Sequence, residues 1–307
     1  MRRAIITGKA HDHLAAVLEN RGYEVLYDPQ ISYGDLLLQI SNVEGLVVTT
    51  RIPIDRKMLD TAQQLKWIGR LGSGMELIDV DYALSKGIEC VSSPEGNREA
   101  VAEHALALIL CLFNNIIPSF TEVKKGSWLR ERNRGIEIAG KTIGIIGYGN
   151  TGSSLAGLLR SFDVTVLAYD KYKLSFGDDF VTESSLEEIQ NLADVISFHV
   201  PLTRETHHMA NGSFFRGLKK KPWIINTSRG KVVELESLIT ALQSGTVSGA
   251  GLDVLENENL TAYSAEEQQE LNWLLAQPNV IVTPHIAGYS QEALFKMAEV
   301  LLAKISM

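Results

Sequence analysis

Thr142-Ile143-Gly144-Ile145-Ile146-Gly147-Tyr148-Gly149-Asn150-Thr151-Gly152 decides how this chain folds. An apolar run of strand type ends at Gly147, and the pattern G-x-G-x-x-G opens a helix directly after it. Gly147 permits a tight turn, Gly149 lets a pyrophosphate approach the backbone, and Gly152 lets the helix pack close to the strand. Unpaired amides at the helix start, near Asn150 and Thr151, would hold the anion. The next apolar run ends at Asp170, eighteen residues beyond Gly152, where a carboxylate can accept from an adenosine ribose. Such a motif alone is weak, because Gly-rich turns are common in α/β proteins. The strand before it, the helix after it and the acid beyond it make a dinucleotide-binding unit. Asp170 repels a 2′-phosphate and favours NAD, whereas Lys171 and Lys173 act in the opposite direction.

On both sides of this unit, short apolar runs alternate with amphipathic ones. Before it, residues 4–7, 23–27, 45–49, 65–70 and 88–91 read as strands, with helical patterns near 11–21, 33–41, 55–62 and 79–86. From residue 141 onward the strand candidates are 142–146, 163–169, 195–199, 223–227, 248–254 and 279–283, with helices at 264–276 and 291–305. Alternation of this kind predicts parallel sheets covered on both faces. Residues 99–113 read as a long helix that is apolar round most of its circumference, buried between layers or subunits. A polar, basic stretch at 124–137 reads as a linker or crossover. The expected architecture is α/β with two doubly wound parallel-sheet domains. Residues 1–97 with 289–307 form one, and 98–288 form the other.

Three further residues stand out, each after a strand-like run or close to one. Arg229 lies in Asn226-Thr227-Ser228-Arg229-Gly230, and His285 lies in Thr283-Pro284-His285-Ile286-Ala287-Gly288. Glu258 follows Asp253 by five residues. Open parallel sheets bind ligands at the carboxyl ends of their strands. A guanidinium there can fork onto a carboxylate, and an imidazole can exchange a proton near neutral pH. Taken singly, each has a plainer reading: a polar loop histidine, an arginine capping a helix or facing solvent.

Together these stretches resemble the D-isomer-specific 2-hydroxyacid dehydrogenases, over nearly the whole chain. Residues 140–152 resemble the family's cofactor signature, and Phe198-His199-Val200-Pro201-Leu202-Thr203 with Thr206 resembles the stretch lining the adenine side. The resemblance implies a Rossmann-type NAD-binding domain inserted into a flavodoxin-like substrate domain. It implies a phosphoglycerate-dehydrogenase-like oxidoreductase acting between a small 2-hydroxy acid and its 2-oxo acid. Glycerate, hydroxypyruvate, glyoxylate and lactate-like acids fit as well. His285 would be the acid/base, Glu258 its orienting carboxylate and Arg229 the clamp on substrate. Gly147, Gly149, Asn150, Thr151, Gly152, Asp170, Pro201, Thr206, Thr227 and Asp253 would contact NAD, Asp253 through the nicotinamide carboxamide. Ser73 and Gly74, in Gly72-Ser73-Gly74, would offer amides to the substrate carboxylate, and Arg51 would reach a distal charge. The segment from Gly96 to His104 resembles the interdomain helix, which implies a homodimer through the 99–113 region. Members usually carry Pro directly after the catalytic Glu, where this chain has Asn259. A regulatory protein that senses NAD on the same scaffold, like the related corepressors, is the alternative.

Composition agrees with a globular protein: 45% hydrophobic and 21% charged residues over 307 positions. A net charge of −8 argues against electrostatic capture of nucleic acid. Cys90 and Cys111 have no metal-ligand spacing and read as buried thiols of a reducing compartment. Met1-Arg2-Arg3 precedes too short an apolar run for a signal peptide, and the longest apolar run, 105–113, is too short for a bilayer. The cytoplasm, with no membrane partner and no bound metal, is the expectation.

Overall fold

Short runs of aliphatic residues, buried on alternating faces, build the two sheets of the computed structural model, which describes residues 2–305. Met1, Ser306 and Met307, at the ends of the expected first domain, lie outside the described residues. The chain forms two compact units, one from Met1–Ala100 with Gly288–Met307 and one from Val101–Ala287.

In the first unit the strands are β1 (Arg2–Ile6), β2 (Tyr23–Tyr27), β3 (Gly45–Val48), β4 (Trp67–Arg70) and β5 (Glu89–Ser92). They are all parallel, in the order β2-β1-β3-β4-β5. This is the flavodoxin-like doubly wound order. One face buries Ile5, Leu46, Val48 and Ile68 against Leu36, Met58 and Leu59. The other buries Ala4, Ile6, Val47 and Trp67 against Leu14, Leu18 and the last helix, Gln291–Lys304, through Met297, Ala298 and Leu301. The two sets alternate along each strand because successive side chains leave on opposite faces.

In the second unit β6 (Thr142–Ile146), β7 (Thr165–Tyr169), β8 (Val181–Glu183), β9 (Val195–Phe198), β10 (Trp223–Asn226), β11 (Gly249–Leu252) and β12 (Val280–Val282) form a parallel sheet. Its order is β12-β11-β10-β9-β6-β7-β8. Chain direction across the sheet reverses between β6 and β9, the crevice in which this topology binds dinucleotides. Ile143, Ile145, Val195 and Ile225 face one core, with Ala105, Leu108 and Ile109 of the helix Arg98–Phe113. Ile146, Ile196, Phe198 and Ile224 face the other.

Two elements have little signal in the sequence. The edge strand β8 has three residues and only Val181 buried, so it has no apolar run. The helix Ile116–Lys124 begins with Pro118 in its first turn, a position that needs no amide donor. None of its side chains is buried. Among the described residues, no single helix is long and apolar enough to cross a membrane.

Candidate active site

The nucleotide half of the site begins where β6 ends. Gly147 is left-handed, with φ +97°, and a Cβ there would lie 2.6 Å from the His199 carbonyl oxygen. A Cβ at Gly152 would lie 2.0 Å from the Gly147 oxygen, so the helix Asn150–Leu159 sits directly on the turn. Gly149 has open space above it, and no side chain caps the helix that starts at Asn150 and Thr151. Asp170, just past β7, accepts from the amide of Tyr148 (2.9 Å) with one oxygen. Its other oxygen accepts from the amides of Tyr172 (2.9 Å) and Lys173 (3.1 Å). The carboxylate is thereby locked beside the glycine turn. Past β9, the Thr206 hydroxyl donates to the Pro201 carbonyl (2.6 Å) and accepts from the Thr203 amide (2.8 Å), closing a tight turn.

Two polar side chains are buried at adjacent strand ends. His199 follows β9 and Thr227 follows β10, and Phe198 pairs with Asn226 just before them. Each is 8% exposed. The Thr227 hydroxyl and the His199 Nδ1 have no hydrogen-bond partner. Leaving such an atom unpaired costs roughly 1–3 kcal/mol. A glycine cradle, a fixed carboxylate and unmatched polar atoms at the switch point fit a dinucleotide.

His199 Nε2 meets the Ser197 hydroxyl at 2.8 Å, and burial pushes the imidazole pKa down to about 4. In the unfolded chain the ring binds its proton near pH 6.5, so between the two values the unfolded state holds more protons. Stability from the neutral ring is complete above about pH 6.5 and is lost as pH falls towards 4. By linkage this amounts to about 3 kcal/mol at most. Urea unfolding at pH 7 and pH 4.5 should therefore show a smaller acid loss in His199→Gln than in wild type. Equal losses would contradict a buried neutral ring.

The reactive half lies at the ends of β10, β11 and β12, which are neighbours in the sheet. Asn226, 1% exposed, ties the turn after β10: its amide nitrogen donates to the Arg229 carbonyl (2.9 Å) and its oxygen accepts from the Ser228 amide (3.1 Å). Arg229 is half-buried and donates Nη1 to the Ser228 carbonyl at 2.7 Å. After β11, the buried Asp253 acts as a hub for the segment after β12. Its carboxylate accepts from the Thr283 hydroxyl (2.6 Å) and the amides of Ile286 (2.9 Å) and Ala287 (2.7 Å). Its carbonyl accepts from the His285 amide (2.7 Å). His104 adds a contact of 3.0 Å to the Thr283 hydroxyl. These bonds hold His285 at φ +54°, a left-handed conformation that costs an L-residue roughly 1–2 kcal/mol.

His285 Nδ1 meets the Glu258 carboxylate at 2.9 Å. A carboxylate accepts, so Nδ1 carries hydrogen and Nε2 is the nitrogen left to exchange a proton. The Glu258 segment is stapled at several points. A Cβ at Gly230 would lie 1.9 Å from the Leu255 oxygen, so the two segments touch backbone to backbone. Glu256 accepts from the Leu235 amide (2.7 Å) and meets His208 Nε2 at 2.7 Å. Asn257 donates to Glu267 (2.8 Å) and accepts from the Asn259 amide (3.0 Å). That last bond needs an N–H, which proline lacks. The turn after Glu258 is thus built differently from the proline form, while the pairing of Glu258 with His285 is kept.

In the first unit, Gly72 follows β4 with φ +124°, its amide donating to the Ser93 hydroxyl at 3.0 Å. Ser73 is exposed and Gly74 half-buried. The Arg51 guanidinium is turned onto the carbonyls of Thr7 (2.9 Å), Pro29 and Ile31 (3.5 Å). These bonds tie together the loops that follow β1, β2 and β3.

Comparison with known proteins agrees with this geometry. Residues 106–287 match the family model for the D-isomer specific 2-hydroxyacid dehydrogenase, NAD binding domain. D-3-phosphoglycerate dehydrogenase 1 of Saccharomyces cerevisiae is 35% identical over 282 residues, covering 90% of this chain and 60% of the yeast protein. D-3-phosphoglycerate dehydrogenase of Methanocaldococcus jannaschii is 34% identical over 298 residues, covering 95% of this chain and 55% of its own length. The chain thus spans little more than half the length of these curated relatives. Among solved structures, D-lactate dehydrogenase from Aquifex aeolicus complexed with NAD and lactic acid superposes with a TM-score of 0.84 at 30% identity, covering 99% of this chain and 94% of that one. With a matching domain over most of its length and full-length similarity in fold, this chain belongs to the D-isomer specific 2-hydroxyacid dehydrogenase family.

Proposed function

We propose that the protein interconverts a small D-2-hydroxy acid and its 2-oxo acid, using NAD. The observation that carries this reading is the His285–Glu258 pair at 2.9 Å, formed by the segments after β12 and β11, the next two strands in the sheet from the β10 turn that holds Arg229. When bound, NAD supplies a two-electron acceptor for the hydrogen at C2. His285 Nε2 takes the hydroxyl proton as the alcohol is oxidised and returns it when the ketone is reduced. Glu258 keeps the ring in one tautomer and orientation. Arg229 forks onto the substrate carboxylate and polarises the C2 oxygen. The amides of Ser73 and Gly74 are assigned to a substrate carboxylate. Gly147, Gly149, Asn150, Thr151, Gly152, Asp170, Pro201, Thr206 and Thr227 are assigned to the dinucleotide. Asp253 is assigned to the nicotinamide carboxamide in addition to its work on the His285 loop.

The test is a panel of 2-oxo acids, including 3-phosphohydroxypyruvate, hydroxypyruvate, glyoxylate and pyruvate, each with NADH and with NADPH. Loss of reduced-cofactor absorbance should be fast for one acid and faster with NADH. If NADH bound tightly and no acid were reduced, the enzymatic reading would fail.

The protein is further proposed to act in the cytoplasm as a homodimer. Cys90 and Cys111 are free thiols, half-buried rather than fully buried as expected, and unpaired thiols suit a reducing compartment. The helix Arg98–Phe113 turns Ala102, Ala105, Ile109 and Leu112 inward. From the 99–113 region the surface proposed for a second copy extends onto the next helix, where Ile116, Ile117, Phe120 and Val123 are 48–66% exposed at helical spacing. Trp128, 77% exposed, follows it. A contiguous apolar face of this kind marks an interaction site. Sedimentation should give wild-type protein about twice the 33.8 kDa chain mass and Phe120→Glu the monomer mass. A monomeric wild type would end this proposal.

A further inference from the structure

Asp170 favours NAD, yet the two lysines after it are the right charges to recruit a 2′-phosphate. Both are diverted. Lys173 donates Nζ to the Tyr148 carbonyl at 2.8 Å, inside the glycine turn. Lys171 donates Nζ to one Glu205 oxygen at 2.6 Å, and the Tyr172 hydroxyl donates to the other at 2.7 Å. Glu205 belongs to the Thr203–Thr206 turn beyond β9, while Lys171 and Tyr172 follow β7. β6 lies between those two strands. The bridge therefore joins the loops on either side of the strand that carries the glycine turn.

We infer that Glu205 is a specificity-determining residue for the dinucleotide: by engaging Lys171 and Tyr172 it withholds the cation that would otherwise bind a 2′-phosphate. This rests on the NAD reading above and deepens it. A single exposed ion pair holds its partners weakly. Here one carboxylate takes a donor on each oxygen, so the lysine head has a defined place. The same contacts lower the Glu205 pKa, chiefly through the Lys171 bond, and raise that of Lys171, chiefly through the Glu205 bond. Both groups thus stay charged at neutral pH. Without Glu205 the neighbourhood of Asp170 gains one positive charge, and Lys171 Nζ becomes available. The adenosine ribose of NAD carries no charge at its 2′ position, so its affinity depends little on that change.

The test is calorimetric binding of NADH and NADPH to wild type, Glu205→Gln, Lys171→Ala and the double variant. Glu205→Gln should tighten NADPH about tenfold, the scale of removing one charge from beside a dianion in a solvated setting. NADH affinity should stay within about twofold, by the same charge argument. The gain should vanish in the double variant, and Lys171→Ala alone, which leaves the Glu205 charge uncompensated, should not tighten NADPH. An unmoved NADPH-to-NADH ratio in Glu205→Gln overturns the assignment, as does an equal gain in the double variant. Wild-type protein that binds neither dinucleotide overturns the NAD reading and this assignment with it. Tight NADH binding with an unmoved ratio overturns this assignment alone.

Discussion

Replacing His285 with alanine is expected to lower turnover on the best 2-oxo acid by about 10²–10⁴-fold, the usual contribution of a positioned general acid. NADH affinity should hardly change. The reason lies in how the loop is held: Thr283, Ile286 and Ala287 are bound to the Asp253 carboxylate, and position 285 to its carbonyl, through groups the substitution leaves in place. The loop keeps its path and loses only its imidazole. Alanine does inherit the left-handed φ of +54°. His285→Asn supplies the check, because asparagine tolerates that conformation and cannot relay a proton in the same way. Both variants should lose turnover alike, while alanine alone should show a lowered melting temperature. Glu258→Gln keeps a hydrogen-bond partner for Nδ1 and removes the charge, so its loss should be smaller than that of His285→Ala. Near wild-type turnover in either His285 variant would refute the acid/base role.

That loop also shows where sequence reasoning reaches its limit. The sheets are legible because buried parallel strands are short aliphatic runs, and the glycine turn is legible because its three constraints fall within six residues. Arg229 and His285 stand out because each follows such a run, and Glu258 because its flanking pattern resembles the family's. The work of Asp253 on the His285 loop is not legible. Its three partners lie 30–34 residues away on another strand's loop, and nothing local distinguishes a hub from a cofactor contact. His104 had a visible place on the long helix, but its contact to Thr283 spans 179 residues. Arg51 has the opposite problem. A strand-end arginine looks like a ligand contact, and nothing in its sequence neighbours reveals that it also donates to the backbone carbonyls of two other loops. The burial of His199 likewise depends on packing that its own neighbours in sequence do not reveal.

Gly230→Ala should be the most damaging single methyl in the reactive half. Its Cβ would meet the Leu255 oxygen at 1.9 Å, the Leu255 carbonyl carbon at 2.0 Å and the Glu256 nitrogen at 2.5 Å. All three are backbone atoms, so no rotamer relieves the clash. Gly230 is not among the left-handed glycines, so space is the only objection to alanine there. The Leu255–Glu256 segment cannot simply retreat, since Glu256 is bound to the Leu235 amide and to His208. The strain therefore separates the turn carrying Arg229 from the segment carrying Glu258. A misplacement of about 1 Å in such a constellation costs roughly 10²-fold in rate. Turnover should fall by at least about that factor, and the overpacking should lower stability by about 1–3 kcal/mol. NADH affinity should change less than turnover, because the glycine turn and Asp170 lie at the ends of β6 and β7, on the far side of β9, and only the Thr227 and Asp253 contacts lie beside the strained segments. Gly157→Ala is the matched control. It adds the same methyl in the helix Asn150–Leu159, with no atom within 4 Å, and should keep full turnover while gaining stability of up to about 1 kcal/mol. If Gly230→Ala matched Gly157→Ala in turnover, the interlock between the Arg229 and Glu258 segments would not be what holds the site.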